Sequence, residues 1–276
     1  KELGIELDAC DPSELARRLK GGAFNVIVLG PTDDAELAPV VREFMEGGGG
    51  VFAAAPFGHV GRADKWFPTP EWAEEFGARM RWHQLQDSDP ANTVTDIMGM
   101  RHSFSGRVTA PFNKGVEGVL TVIPRAAAWN PLAFDFGKDW TVVVRWAESV
   151  QPMKADQQIG RFEKYAWQGD ALTETSGLLG VRRVGAGRLA LCGIPHQWMI
   201  NPPTNCPTVE GMLSAGVGDK PSNWIAVLAN TLRWLAEPSL AKGVGGAQTP
   251  EELLRLSDVI PDPPRIDWSG PRPIVR

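Results

Sequence analysis

Three stretches of the chain carry polar side chains of the kinds that bind ligands or transfer protons. They read GPTDD at 30–34, APFGH at 55–59 and GIPHQWMIN at 193–201. An imidazole titrates near neutral pH and a nearby carboxylate can fix its tautomer, so histidine and aspartate together can hold a divalent metal or pass protons. The candidate ligand-binding residues are Asp33, Asp34, His59, His196, Gln197 and Asn201. His196 is also the candidate catalytic residue.

Each of these residues has a simpler structural interpretation as well. Asp33 and Asp34 precede a predicted helix, where acidic side chains complement the positive end of the helix dipole. His59 and His196 could serve packing alone. The two other histidines, His83 and His102, lie in segments whose course the pattern does not predict, and we assign them no ligand role. The sequence leaves both interpretations of the candidate residues open.

Each polar stretch follows an apolar run that predicts a buried strand. The runs cover residues 25–29, 51–54 and 189–192. A helix is predicted between the first two, with an apolar face formed by Leu37, Val40, Val41 and Phe44. It ends at glycines 47–50, which lack the Lys-Ser/Thr of a phosphate-binding loop and do not follow a strand. Strand, helix and strand joined by short loops predict a right-handed parallel crossover, and ligands of such sheets gather at the carboxyl ends of the strands.

The rest of the pattern predicts shorter elements. Ser13 and Ser222 are the predicted N-caps of two further helices, the second running over 223–237 with Pro238 beyond its end. Residues 185–187 are typical of a hairpin turn. A short helix is predicted within 69–82, and strands within 116–123, 140–147 and 175–184.

Composition excludes several classes of protein. The 276 residues carry a formal net charge of -5 with scattered lysines and arginines, which disfavours nucleic acid as a partner. No apolar run approaches the roughly 20 residues of a membrane-spanning helix, so we expect a soluble protein, exported or periplasmic rather than cytoplasmic. Cys10, Cys192 and Cys206 match no metal-binding spacing, and a bridge between the last two is left open. We predict no cofactor, with a divalent metal as the open alternative.

These elements predict an α/β fold with a mostly parallel central sheet flanked by helices. Residues 1–240 are assigned to one α/β domain, and residues 241–276 to an extended, proline-rich tail. The start of the chain, KELGIELDAC, reads as the end of a helix followed by a strand. We therefore expect the first strand of the domain to lie upstream of Lys1.

The chain resembles the class I glutamine amidotransferase-like fold, which is flavodoxin-like, and within it the trehalose-utilisation (ThuA-like) branch. Residues 24–58, NKGVEGV at 113–119 and VRRVGAGRLALCGIPHQW at 181–198 carry the resemblance. Glutaminases of this fold have a cysteine on the turn after a central strand and a His-x-Glu loop.

Two of the three catalytic parts of those glutaminases are missing from this chain. Ala55 and Pro56 occupy the corresponding turn, and Trp198 stands where the carboxylate would be, while His196 matches the histidine. A thiolate nucleophile needs a base oriented by a third group. The resemblance thus implies the fold without the amide hydrolysis, and Cys192 is expected to be a buried, inert strand residue.

Three functions are compatible with these observations. The first is a catalytically degenerate amidotransferase-like domain that binds a small polar ligand or a protein partner, within a carbohydrate-related exported protein. The second is a ThuA-like enzyme acting on a sugar derivative through His196 and Asp33 or Asp34, with or without a divalent metal. The third is a structural or assembly subunit, or a homo-oligomer, that packs on its neighbour through the tail.

Overall fold

The computed structural model describes residues 4–6, 8–20, 24–30, 32, 36–54, 68–81, 85–95, 101–123, 133–152, 171–194 and 216–245. The described helices are α1 (Pro12–Leu19), α2 (Leu37–Glu46), α3 (Pro70–Glu75) and α4 (Trp224–Leu240). The described strands are β1 (Val26–Leu29), β2 (Gly50–Ala54), β3 (Ala78–Arg81), β4 (Leu85–Asp87), β5 (Thr93–Thr95), β6 (Arg101–Ser105), β7 (Val119–Ile123), β8 (Ala133–Phe136), β9 (Thr141–Arg145), β10 (Val150–Pro152), β11 (Ser176–Val184), β12 (Gly187–Cys192), β13 (Gly216–Val217) and β14 (Lys220–Pro221).

The three strands predicted from apolar runs lie side by side in the main sheet. This sheet has the order β1-β2-β12-β11-β8-β3, with β9 also paired to β11. β1 pairs parallel with β2, and β2 pairs parallel with β12. The prediction of adjacent parallel strands at 25–29, 51–54 and 189–192 is confirmed, and β12 lies in the interior of the sheet.

The other half of this sheet is antiparallel, so the prediction of a mostly parallel sheet is wrong for the described strands. β11 pairs antiparallel with β12, β8 and β9, and β8 pairs antiparallel with β3. The reason is the predicted hairpin turn, which is confirmed: β11 ends at Val184 and β12 begins at Gly187. Gly185 has a φ of 57°, as the first central residue of a type II′ turn requires. A two-residue turn leaves no room for a crossover helix, so the chain reverses direction within the sheet.

Apolar layers cover both faces of the sheet. On one face, Ile27, Val51 and Leu189 pack against the buried sides of α2 and α3. On the other face, Phe52 and Ala190 pack against α4 and against the small antiparallel sheet β5-β6-β7. The architecture is therefore α/β, with helices on both sides of a mixed, strand-rich sheet.

Both predicted serine caps lie elsewhere in the structure. α1 begins at Pro12 after Asp11, so Ser13 lies inside the helix. Asn223 holds the cap position of α4, and the Ser222 hydroxyl instead accepts the Leu120 backbone N–H at 3.1 Å. The Ser222 oxygen therefore accepts a hydrogen bond from β7, whereas the sequence pattern predicts that it accepts one from the first turn of α4.

α4 also continues past the predicted stop. Pro238 lies inside the helix, which ends at Leu240. The Arg188 side chain on β12 donates to the Trp234 carbonyl, the group that residue 238 would bond in an ordinary helix. The helix tolerates proline because another donor replaces the missing N–H.

Among the described helices, none is both long and apolar enough to cross a membrane. Residues 241–245 follow α4 as turns, and the remainder of the proposed tail, 246–276, lies outside the described residues.

Candidate functional site

The carboxyl ends of the three parallel strands meet at one edge of the main sheet. Leu29, at the end of β1, pairs with Ala53 of β2, and Cys192, at the end of β12, pairs with Ala54. The three strands therefore end within one residue of each other along the sheet. Because neighbouring strands lie about 4.8 Å apart, the loops that follow them start within roughly 10 Å of one another. We call this the carboxyl edge.

The loops that leave this edge are the ones that contain the predicted site residues. Gly30 follows β1 directly, and Gly193 and Ile194 follow β12, with the Gly193 N–H bonded to the Leu178 carbonyl at 2.7 Å. The candidate residues themselves lie outside the described residues, and their side-chain positions stay predictions. They are Asp33, Asp34, His59, His196, Gln197 and Asn201.

Three neighbouring strands extend beyond the carboxyl edge and border it on one side. Leu179 of β11 pairs with Cys192, and β11 begins three residues further out, at Ser176. Ser176 pairs with Asp135 of β8, which in turn pairs with β3. At roughly 3.3 Å per residue this border projects about 10 Å past the end of β12. The sheet thus has a step at the place where the three loops begin.

A polar network lies on this border. The Asp135 carboxylate accepts the Ser176 hydroxyl at 2.7 Å and the Arg81 Nε–H at 2.5 Å. The Arg81 side chain is 9% exposed and that of Asp135 is 22% exposed. The Ser176 oxygen also lies 3.4 Å from the Thr173 hydroxyl. Charged and hydroxyl groups with this little exposure are held in fixed positions, which suits a binding wall as well as a structural ion pair.

Sequence reasoning missed these polar residues. Asp135 lies between Phe134 and Phe136, and the alternation in AFDF places it on the face opposite the two rings. A carboxylate inside an apolar strand predicts a buried partner. Nothing in the sequence pattern shows that the partners are Arg81 and Ser176, which are 54 and 41 residues away.

Cys192 occupies the carboxyl edge as a buried thiol. Its side chain is fully enclosed, and burial raises the pKa of the thiol to about 12, although a hydrogen bond with the Ile194 backbone acts in the opposite direction. Thiolate is the nucleophilic form, so Cys192 is not a nucleophile at neutral pH, as predicted. Cys192 is a free thiol in the structure. Cys206 lies outside the described residues, so the bridge that the sequence leaves open between these two cysteines is not tested.

The remaining histidines do not add to this edge in the described structure. His102 is fully buried on β6, in the small sheet, where it pairs with Val94; His83 lies outside the described residues. Among the described residues no group of three or more histidine, cysteine, aspartate or glutamate side chains could hold a metal ion. A divalent metal, if bound, would need ligands from the three loops that follow β1, β2 and β12.

Comparison with known proteins identifies no family. No family model and no curated protein matches the chain. Solved structures with weak similarity include the N-terminal domain of mmIFT52, at 14% identity over 66% of this chain and 70% of that one, with a TM-score of 0.40. Two cytoplasmic proteins of Salmonella typhimurium also match. STM1381, from strain LT2, is 10% identical over 84% of this chain and 82% of its own, with a TM-score of 0.43. STM3548 is 14% identical over 85% of this chain and 78% of its own, with a TM-score of 0.32. Similarities at this level carry no argument about function.

Proposed function

We propose that this chain is a catalytically degenerate amidotransferase-like domain that binds a small polar ligand at the carboxyl edge. The observation that supports it best is the register of β1, β2 and β12, because it starts three loops side by side at that edge. Ligands of open α/β sheets bind outside the carboxyl ends of their strands. The carboxyl ends of this sheet that lie side by side belong to its parallel strands, β1, β2 and β12, which are the strands that the resemblance predicts.

The loop residues give the site its chemistry. His196 would donate or accept a hydrogen bond or a proton near neutral pH, and Asp33 or Asp34 would orient its ring or bind a cationic or hydroxyl group. Gln197 and Asn201 would supply amide donors and acceptors suited to hydroxyl-rich ligands such as sugars. Asp135, Ser176 and Arg81 extend the same edge as a fixed polar border.

The two cysteines that the structure describes, Cys10 and Cys192, support binding over amide hydrolysis. Cys192 is enclosed and its pKa is raised to about 12 by burial, and in the sequence Ala55 and Pro56 stand at the position of the glutaminase cysteine. Cys10, exposed ahead of α1, belongs to a different part of the chain. The resemblance implies a sugar derivative as the ligand class.

The experiment is thermal unfolding with and without defined probes. A disaccharide, a sugar phosphate, Mn²⁺ and Zn²⁺ are added separately to the intact chain and to the variants His196→Ala and His83→Ala. At least one probe should raise the Tm of the intact chain and of His83→Ala but not of His196→Ala. Without probe, His196→Ala should melt within a few degrees of the intact chain, since a side chain at the rim contributes little to the core. A probe-induced shift retained by His196→Ala would contradict the proposal, as would a large loss of stability in that variant.

A further inference from the structure

The indole N–H of Trp146 is buried without a hydrogen-bond acceptor among the described residues. Trp146 is 7% exposed, and its Nε1 atom is fully enclosed. Two other buried indoles do have acceptors. Trp140 donates to the Phe76 carbonyl at 2.7 Å, and Trp224 donates to the Leu120 carbonyl at 2.9 Å. Buried tryptophan N–H groups ordinarily find such a partner, so the donor of Trp146 needs an acceptor that the described residues do not supply.

The register of the main sheet places Trp146 beside the carboxyl edge. β9 and β12 are both antiparallel to β11, so they run in the same direction. Arg145, the last residue of β9, pairs with Gly177 of β11, whereas Cys192, the last residue of β12, pairs with Leu179. Trp146 is the next residue after β9. It therefore lies past the carboxyl end of β12, at the side of the sheet where the three site loops start.

The buried side chains of the cluster that contains Trp146 are apolar. Leu85, Val150, Leu178 and Ile194 belong to it. An internal water needs roughly two to four polar partners, and a single N–H among such side chains offers it one. Ligand pockets, by contrast, are lined mainly by apolar and aromatic side chains with a few fixed polar groups. A ligand oxygen is therefore a better partner for this donor than a resident water.

The chemistry of the indole narrows the class of ligand. An indole N–H is a donor only, so a bare metal ion cannot be its partner. Hydroxyl and phosphoryl oxygens accept such a bond. The ring beside the N–H is a large apolar surface, which suits the carbon-bound hydrogens of a sugar better than a free phosphate ion. The donor thus favours an organic ligand that carries acceptor oxygens.

We propose that the Trp146 Nε1–H donates a hydrogen bond to a hydroxyl or phosphoryl oxygen of a sugar-like ligand at the carboxyl edge. The inference rests on the proposed function, to which it adds a ligand class and a described residue that binds the ligand. In the free protein the described residues leave this N–H without an acceptor, and the ligand supplies one. Because the donor is enclosed, the bond forms away from water and discriminates against ligands that lack an oxygen at this point.

Proton NMR of the indole N–H signals in the full chain tests this hydrogen bond. Trp146→Phe identifies the Trp146 signal by its loss. With saturating sucrose or glucose-6-phosphate, the Trp146 signal should move downfield because the proton gains an acceptor, while those of Trp140 and Trp224, already bonded to carbonyls, stay in place. A Trp146 signal that neither sugar moves would overturn the inference. If Zn²⁺ still raised the Tm in that case, a ligand site would remain and only this hydrogen bond would be rejected.

Replacing Trp146 by benzothienylalanine removes the N–H donor and keeps the shape of the ring. Without a sugar this change should leave the Tm unchanged, because no hydrogen bond among the described residues is lost. The same replacement at Trp224 is the matched control, and it should lower the Tm because the Leu120 carbonyl loses its donor. At Trp146 the affinity for the sugar that moves the indole signal should fall by about three- to tenfold, the effect of one hydrogen bond.

Two results would contradict the role of Trp146. Equal losses of Tm at the two positions would show that the Trp146 N–H has a structural partner. An unchanged sugar affinity in the Trp146 analogue would reject the residue as a ligand donor. If His196→Ala still abolished sugar binding in that case, the proposed function would stand without Trp146.

Discussion

Arg188 on β12 donates a hydrogen bond to the Trp234 carbonyl, the group that Pro238 leaves without a helical donor. The guanidinium also lies 4.3 Å from the centre of the Trp234 ring and 2.6 Å from the Glu237 carboxylate. One side chain of an interior strand thus completes the last turns of α4. These contacts fix the last turns of α4 against β12, one of the three strands that end at the carboxyl edge.

Replacing Arg188 should therefore destabilise the protein in a way that depends on Pro238. We expect Arg188→Met to lower the free energy of unfolding by about 2 kcal/mol, the cost of an unpaired carbonyl and a lost charged hydrogen bond. In Pro238→Ala the restored N–H can bond the Trp234 carbonyl, so the double variant should lose less than the sum of the single changes. Urea denaturation of the four proteins measures this cycle. Simple additivity would show that the two residues act independently.

The close approach of α4 to β2 makes Gly50 intolerant of a side chain. A Cβ at this position would lie 2.5 Å from the Leu235 carbonyl oxygen and 2.7 Å from its Cβ. Gly50→Ala should cost about 1–3 kcal/mol through overpacking. Gly106→Ala is the control, because the nearest atoms to its Cβ would be 3.6 Å away, and it should change stability by less than about 0.5 kcal/mol. Equal effects on the urea midpoint would argue against a tight α4–β2 contact.

Asp87 should make stability depend on acid pH. Burial opposes ionisation of this carboxyl, but hydrogen bonds from Ser103, Ser149, the Asp89 N–H and Asn92 outweigh it and lower the pKa below its ordinary value. With a folded-state pKa below the unfolded value of about 3.9, ionised Asp87 stabilises the fold above about pH 4. That contribution is lost as the pH falls through the folded-state pKa.

Asp87→Asn should accordingly lower the free energy of unfolding by about 1–3 kcal/mol at pH 7. The difference from the intact chain should shrink as the pH falls below about 4. Denaturation at several pH values measures it, with Asp139→Asn, at an exposed position, as the control for loss of charge. A difference that stays constant from pH 7 to pH 3 would show that Asp87 acts through shape rather than charge.

The enclosed thiol of Cys192 should be chemically silent in the folded protein. A thiol reagent at pH 8 should modify Cys10 rapidly and Cys192 only after unfolding, because burial raises the pKa of Cys192 to about 12. Ammonia release from glutamine should stay at background, with and without Cys192→Ala. Release that is abolished by Cys192→Ala would contradict the assignment.

The sequence predicts the parallel half of the sheet because its three strands are continuous apolar runs, and because the first two are joined by a segment of clear helical period. β1, β2, β12 and α2 lie where those patterns place them, and α4 is present but runs three residues past its predicted end. The antiparallel half is harder to predict. β3 and β8 are four residues each, and their pairing joins Arg81 to Ala133 across 52 positions, a partnership that no local pattern contains.

The polar residues show the same limit. The carboxyl edge follows from the predicted strands, but the side chains that border it are set by tertiary pairing. Ser222 is a cap by pattern and an acceptor for Leu120 in the structure, and Asp135 is held by residues from two other strands. Local chemistry predicts that such groups need partners, whereas the fold decides which partners they find.

The distance between Asp33 and His196 tests the central claim most directly. The register of β1, β2 and β12 starts both loops at one edge of the sheet, so a crystal structure of the chain should place an Asp33 carboxylate oxygen within about 15 Å of the His196 ring, the reach of two side chains through a bridging water or metal. We predict that both side chains face one cleft at the carboxyl edge. A separation well beyond about 15 Å, or side chains that face opposite sides of the sheet, would contradict a shared ligand site.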